Sequence, residues 1–330
     1  MKNSKSLWIF FPLKGLDICD KDIDIDSPQF GDFTIVSKKN INQIVEKLRT
    51  DEKSNFSTKS DEISYMLKNL TFKEIFHSFL CIKRNGNLKG ESHEVISNLK
   101  RNAKDRAYEV AAFITLVLWA KNSADHFVGL SEQFQRRTEV ATLFDFNEKQ
   151  ISISFTGDST NIISGGLGLS DSKDDVVVFT RNDLFRLFNE DKFKVLRDIV
   201  ITNRGNKTII QANIKLVEAL HSLNISTKLL NAVTAIEVLL LEQGESYEKL
   251  KKRMEILISK EVVELYNFDE VMKSRNFYVH RGDNIGDINV VQNAIKLSFI
   301  CLISISNLSV KFNSKQLIIK YLDFINESLK

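Results

Sequence analysis

The sequence predicts an α+β region over residues 1–200 followed by an all-α helical bundle over residues 201–330. Three observations predict it. The first 40 residues carry short runs of strand composition, some alternating apolar with polar. From residue 181 onward apolar residues recur at helical spacing, with short polar breaks between the runs. The only prolines are Pro12 and Pro28, so nothing beyond Pro28 is barred from long helices by proline.

In the first region, residues 6–13 and 31–37 have strand composition, and Ile23-Asp24-Ile25-Asp26 alternates apolar with acidic. Residues 40–49 then place Ile41, Ile44, Val45 and Leu48 at helical spacing. Residues 61–70 and 71–81 read as two short helices, or a helix and a strand. The polar, glycine-containing stretch 83–91 reads as a loop. The apolar run inside residues 104–121 is long and alanine-bearing, which favours helix. A strand is expected at 150–155, a flexible glycine-bearing stretch at 156–175, and a last strand at 176–180.

In the second region helices are expected at 182–189, 191–200, 208–223, 226–242, 245–266, 268–280, 288–310 and 314–328. The boundary between regions is placed near residue 200. The apolar runs 110–120 and 297–310 fall short of the ~20 residues that cross a bilayer and read as core. No membrane contact is expected.

The chain has 330 residues, enough for two domains with cores of their own. A net charge of +3 permits contact with nucleic acid without arguing for it, so any such site must come from local clustering. Cys19, Cys81 and Cys301 are odd in number and far apart, which indicates neither a disulfide framework nor a zinc site and fits a reducing cytoplasm. The apolar run 7–11 is too short for a secretory signal.

The most informative stretch is Ser274-Arg275-Asn276-Phe277-Tyr278-Val279-His280-Arg281-Gly282-Asp283. It ends a helix, with Gly282 as the terminating cap. Asn276 and His280 are four apart and share a face. Arg275 lies about 140° around the axis from His280, within reach for a long side chain. These residue types suit a phosphodiester. A guanidinium fork matches phosphate oxygens, and an imidazole moves a proton near neutral pH. No metal ion or other cofactor is required. Spacing alone does not separate this from a solvated helix end with a structural histidine.

The wider context resembles the HEPN superfamily, in its Apea-like form. Such domains end a helix with Arg, a polar residue, a few more residues, then His and a nearby Gly, as in Arg275-Asn276-Phe277-Tyr278-Val279-His280-Arg281-Gly282. An upstream apolar helix carries a Glu and ends in a glycine-containing turn, as in residues 234–245 around Glu237. A Lys/Arg-bearing helix, 247–258, comes next. The resemblance covers about residues 205–330. Arg281 departs from it, since many members have Gly directly after His.

The resemblance implies metal-independent RNA cleavage by a homodimer joined through the helical domain, in phage defence or a toxin system. Arg275, Asn276 and His280 would be the catalytic groups. Glu237, which would hold Arg275, and Tyr278 would support them. Tyr278 lies off the Asn276/His280 face and reads more as core than as catalytic. Lys251, Lys252, Arg253 and Arg281 could contact RNA phosphates, against a solvated helix face as the plain alternative. Residues 1–200 would answer a regulatory protein or a nucleic-acid trigger. The alternative is a non-catalytic HEPN module that binds RNA or a protein.

Other motifs carry less. Gly165-Gly166-Leu167-Gly168 lacks the Lys-Ser/Thr pair of a phosphate loop. Asp171, Asp174 and Asp175 lack the spacing of a calcium loop. His77, His93, His126 and His221 have no partner at metal spacing.

Overall fold

A computed structural model describes residues 5–14, 16–19, 30–37, 76–86, 93–122, 129–130, 142–145, 177–202, 207–222, 224–282 and 287–329. The expectations at residues 23–26, 40–49, 61–70 and 150–175 lie outside them. The chain divides into two compact units, Met1–Leu187 and Phe188–Lys330.

The first unit is built on an antiparallel sheet. Strand β1 (Lys5–Lys14) is its spine, with β4 (Phe76–Gly86) along one edge and β5 (Gly129–Leu130) and β6 (Thr142–Asp145) along the other. Strand β3 (Phe33–Ser37) pairs outside β4, with Phe33 opposite Ile82 and Ser37 opposite Ser78. All five β3 residues are buried. Strand β2 (Leu16–Ile18) runs parallel to β7 (Val177–Phe179) as a separate pair. The Ser78 hydroxyl ties β2 to β4 by accepting from the Ile18 amide at 2.9 Å.

The expected strands at 6–13, 31–37 and 176–180 are present. Residues 83–86, expected in a loop, instead extend β4, because Lys5 to Trp8 of β1 lie opposite them and satisfy their backbone groups. Helix α1 (His93–Asn122) packs on β1 and β4, with every residue from Val110 to Leu118 buried. A helix apolar all round belongs in a core. Helix α2 (Arg181–Phe188) begins with Thr180, whose hydroxyl accepts the Asp183 amide.

The described residues of the second unit form helices joined by short turns, with no strand among them. It contains α3 (Asp191–Thr202), α4 (Lys207–His221), α5 (Ile225–Leu240), α6 (Tyr247–Ile258), α7 (Lys260–Leu265), α8 (Phe268–Arg281), α9 (Ile288–Ser309) and α10 (Lys315–Ser328). Helix α9 is central and packs on α3, α4, α5, α6 and α8. The Ser298 hydroxyl of α9 donates to the Ala232 carbonyl of α5 at 2.7 Å, joining the two inside the core. Helix α9 is 22 residues long and apolar enough to cross a membrane by length and composition, longer than the run 297–310 suggested. Half of its apolar window is buried within the fold.

The units part at Leu187/Phe188, and within the second α3 packs on α9, where the Phe193 and Phe299 rings meet at 6.4 Å. One expectation is corrected. The stretch 245–266 is two helices, broken at Ser259 with φ 77° and ψ 152°. Nothing local forces that break, since Ser tolerates a helix interior.

Candidate active site

Helix α8 buries Phe268, Val271 and Met272. Arg275 continues that inner face, four residues past Val271 and three past Met272, so its side chain enters beside α5 instead of pointing to solvent. There it meets Glu237, with Nη2 3.2 Å from Oε1. Burial of the pair is similar, with side chains 23% and 24% exposed. Glu237's carboxyl is held above its ordinary pKa, chiefly by burial, against the opposing charge and hydrogen bond of Arg275.

The Arg275 fork is divided. Its Nη1 donates to Asn276 Oδ1 at 3.2 Å, and its Nε is buried with no acceptor among the described residues. Asn276 and His280 are both exposed, one turn apart on the outer face. The fold thus joins Glu237 to Arg275 and Arg275 to Asn276. His280 stands next along that face and shares no hydrogen bond with Arg275. Tyr278 is half-buried on the flank leading to Val271, a packing position.

Gly282 ends α8 in the left-handed conformation, φ 71°, with its amide donating to the Tyr278 carbonyl. The expected cap is therefore present, and Arg281 forms the last helical residue before it. Gly244, at φ 82°, similarly turns the chain between α5 and α6.

The basic residues of α6 separate sharply. Arg253, expected at an RNA surface, is 1% exposed. It donates to Asp323 through Nε and Nη2 at 2.8 Å each, to the Leu240 carbonyl, and to Glu245. The α6 face that carries Leu250 and Met254 carries Arg253 with it into the core, so it cannot reach a phosphate. Lys251 is paired with Asp269 of α8 at 2.7 Å. Asp269 also accepts from the Tyr247 hydroxyl. Lys252 stays exposed with no ion pair among the described residues.

Sequence reasoning missed one row beside His280. Lys273, Phe277 and Arg281 follow one another at four-residue steps and stand exposed. The Arg281 guanidinium lies 4.8 Å and the Lys273 ammonium 5.9 Å from the Phe277 ring centre. Lys273 also faces Glu270 at 3.6 Å. The four-residue spacing was visible, but exposure of the aromatic was not. Among the described residues no group of three His, Cys, Asp or Glu side chains is placed to hold a metal ion.

No protein-family model, no curated protein and no solved structure matches this chain.

Proposed function

We propose that the helical unit is a metal-independent endoribonuclease of the HEPN type, with Arg275, Asn276 and His280 as its reacting groups. The observation that carries this reading is the divided fork of Arg275. Glu237 anchors one nitrogen, Asn276 directs another toward the His280 face, and a third donor remains unused. A phosphate oxygen beside Asn276 would receive the guanidinium charge as negative charge develops on phosphorus. His280, free on its surface, would take the proton of a ribose 2′-hydroxyl or return one to the departing 5′-oxygen. The 2′-oxygen then bonds to phosphorus and the 5′-oxygen leaves, giving a 2′,3′-cyclic phosphate and a 5′-hydroxyl.

A second copy, placed so that the two Arg275/His280 sets face one shared cleft, would supply the groups that one copy lacks around His280. Lys252, Arg281 and Lys273 would meet flanking phosphates, and Phe277 offers a face for a base. A role for this site in phage defence or in a toxin system, inside the cytoplasm, is part of the same proposal and rests on the resemblance alone.

The Glu237–Arg275 pair also favours a second reading, in which the site is a structural ion pair within a module that binds RNA or a protein. Incubation of the full chain with single-stranded RNA in EDTA separates them. The ribonuclease reading expects cyclic-phosphate ends, a loss of roughly 10²- to 10⁴-fold in His280→Ala, and a comparable loss in Arg275→Ala, with helical circular dichroism unchanged. Full cleavage by His280→Ala, or none by the native chain, refutes it.

A further inference from the structure

The outer face of α10 is apolar and only partly used by packing within the chain, where the Tyr321 ring meets that of Phe312 at 4.8 Å and Leu317 and Phe324 stay uncovered. The inner face, Ile318, Ile319 and Leu322, is buried against the bundle. One turn apart on the other side stand Leu317, Tyr321 and Phe324, exposed by 45%, 38% and 67%. Val310, just before the helix, is 71% exposed. The spacing i, i+4, i+7 makes these a single stripe. A contiguous exposed stripe of large apolar side chains marks a contact surface.

What covers it is indicated by the charges along its border. Lys320 and Glu327 are both exposed and lie seven residues apart, two turns, on the same side of the stripe. Neither forms an ion pair among the described residues. Asp323, the other acid of the helix, is committed to Arg253. Consider two copies of α10 laid antiparallel, stripe to stripe, about a two-fold axis through the midpoint of Lys320 and Glu327. That axis falls between Asp323 and Phe324. It sets Phe324 against its own symmetry mate and brings each Lys320 level with the Glu327 of the other copy, on the same flank. The opposite charges then pair twice, as an isologous contact requires.

We propose that this face is a contact between two copies of the chain, centred on Phe324 and keyed by Lys320 and Glu327. The contact uses none of the Arg275/His280 groups and stands whether or not the chain cleaves RNA.

The test is the solution mass of the full chain, by light scattering and sedimentation across a dilution series. Phe324→Glu halves the mass, whether the native assembly holds two copies or four. Lys320→Glu and Glu327→Lys each set like charges opposite one another and weaken association on the order of tenfold. The double variant Lys320→Glu/Glu327→Lys restores opposite charges across the axis and recovers assembly. Since neither residue is tied to the fold, helical circular dichroism stays native in all three. A native chain that is monomeric at every concentration overturns the proposal, as does a mass unchanged by Phe324→Glu. A double variant as weak as the single ones also overturns it, because only a surface meeting its own copy is restored by reversing both charges. That last result would show that Lys320 and Glu327 do not face one another across a two-fold axis.

Discussion

Arg275 and His280 sit five residues apart on one helix, with Arg275 on the inner flank beside Glu237 and its Nη1 reaching Asn276 on the face that carries His280. A guanidinium on the inner face of α8 needs a counter-charge when most of its side chain is covered, and Glu237 of α5 supplies it at 3.2 Å. Glu237's raised pKa means that the folded chain holds a proton at pH values where the unfolded chain has released it. Its contribution therefore favours the fold in acid and is lost as pH rises through the raised value. In Glu237→Gln this slope disappears. The stability of the native chain relative to the variant should fall as pH climbs through that window and stay level above it, measured by urea unfolding at a series of pH values. If Arg275 serves the reaction, the same substitution should lower cleavage by up to about a hundredfold, through misplacement of the guanidinium. A difference in stability that rises with pH across the same window would contradict the assignment of burial as the dominant effect.

Among the elements, several helices of the second unit begin or end where local chemistry places them. Asn224 caps α5 by accepting the Thr227 amide, Asp287 caps α9 by accepting the Asn289 amide, and Gly282 stops α8. The α6–α7 junction is different, for there Ser259 holds φ 77° and ψ 152°. That region of backbone space is essentially reserved for glycine and costs a residue with a Cβ on the order of 1 kcal/mol or more. Ser259→Gly should stabilise the chain by about 1 kcal/mol, net of the extra freedom glycine gains when unfolded. Denaturant titration checks it, and a loss of stability would show that the Ser259 side chain contributes more than its backbone costs.

At the scale of the whole molecule, the hub around Arg253 ties distant segments of the second unit together. It joins α6 to the turn after α5 and to α10 through Leu240, Glu245 and Asp323. Glu245 is held well below the ordinary carboxylate range, first by its hydrogen bond from Arg253. Lys315 adds a bond to the Leu241 carbonyl from the start of α10. Removing the cation strands two carboxylates, one of them largely covered, so Arg253→Ala should cost about 3 kcal/mol in urea unfolding. Lys252→Ala, on the surface nearby, should cost almost nothing. Equal effects of the two substitutions would mean that Arg253 does not occupy this buried position. The hub also fixes the base of α10, and with it the direction in which the Leu317–Phe324 stripe faces.

Strand composition, helical spacing, the Gly282 stop and the grouping of Arg275, Asn276 and His280 on one helix are local properties. They depend on neighbours within a turn or two, so the chain alone established them. Which way a charged residue points depends on what lies across from it. Arg253 and Lys252 are adjacent and chemically alike, yet one is sealed beside Asp323, seventy residues away in sequence, and the other is bare. The continuation of β4 past residue 83, the joining of α3 to the second unit, and the exposure of Phe277 and Phe324 follow the same rule. Each rests on a partner distant in sequence, or on the lack of one among the described residues, and burial is a relation between segments that no single segment carries.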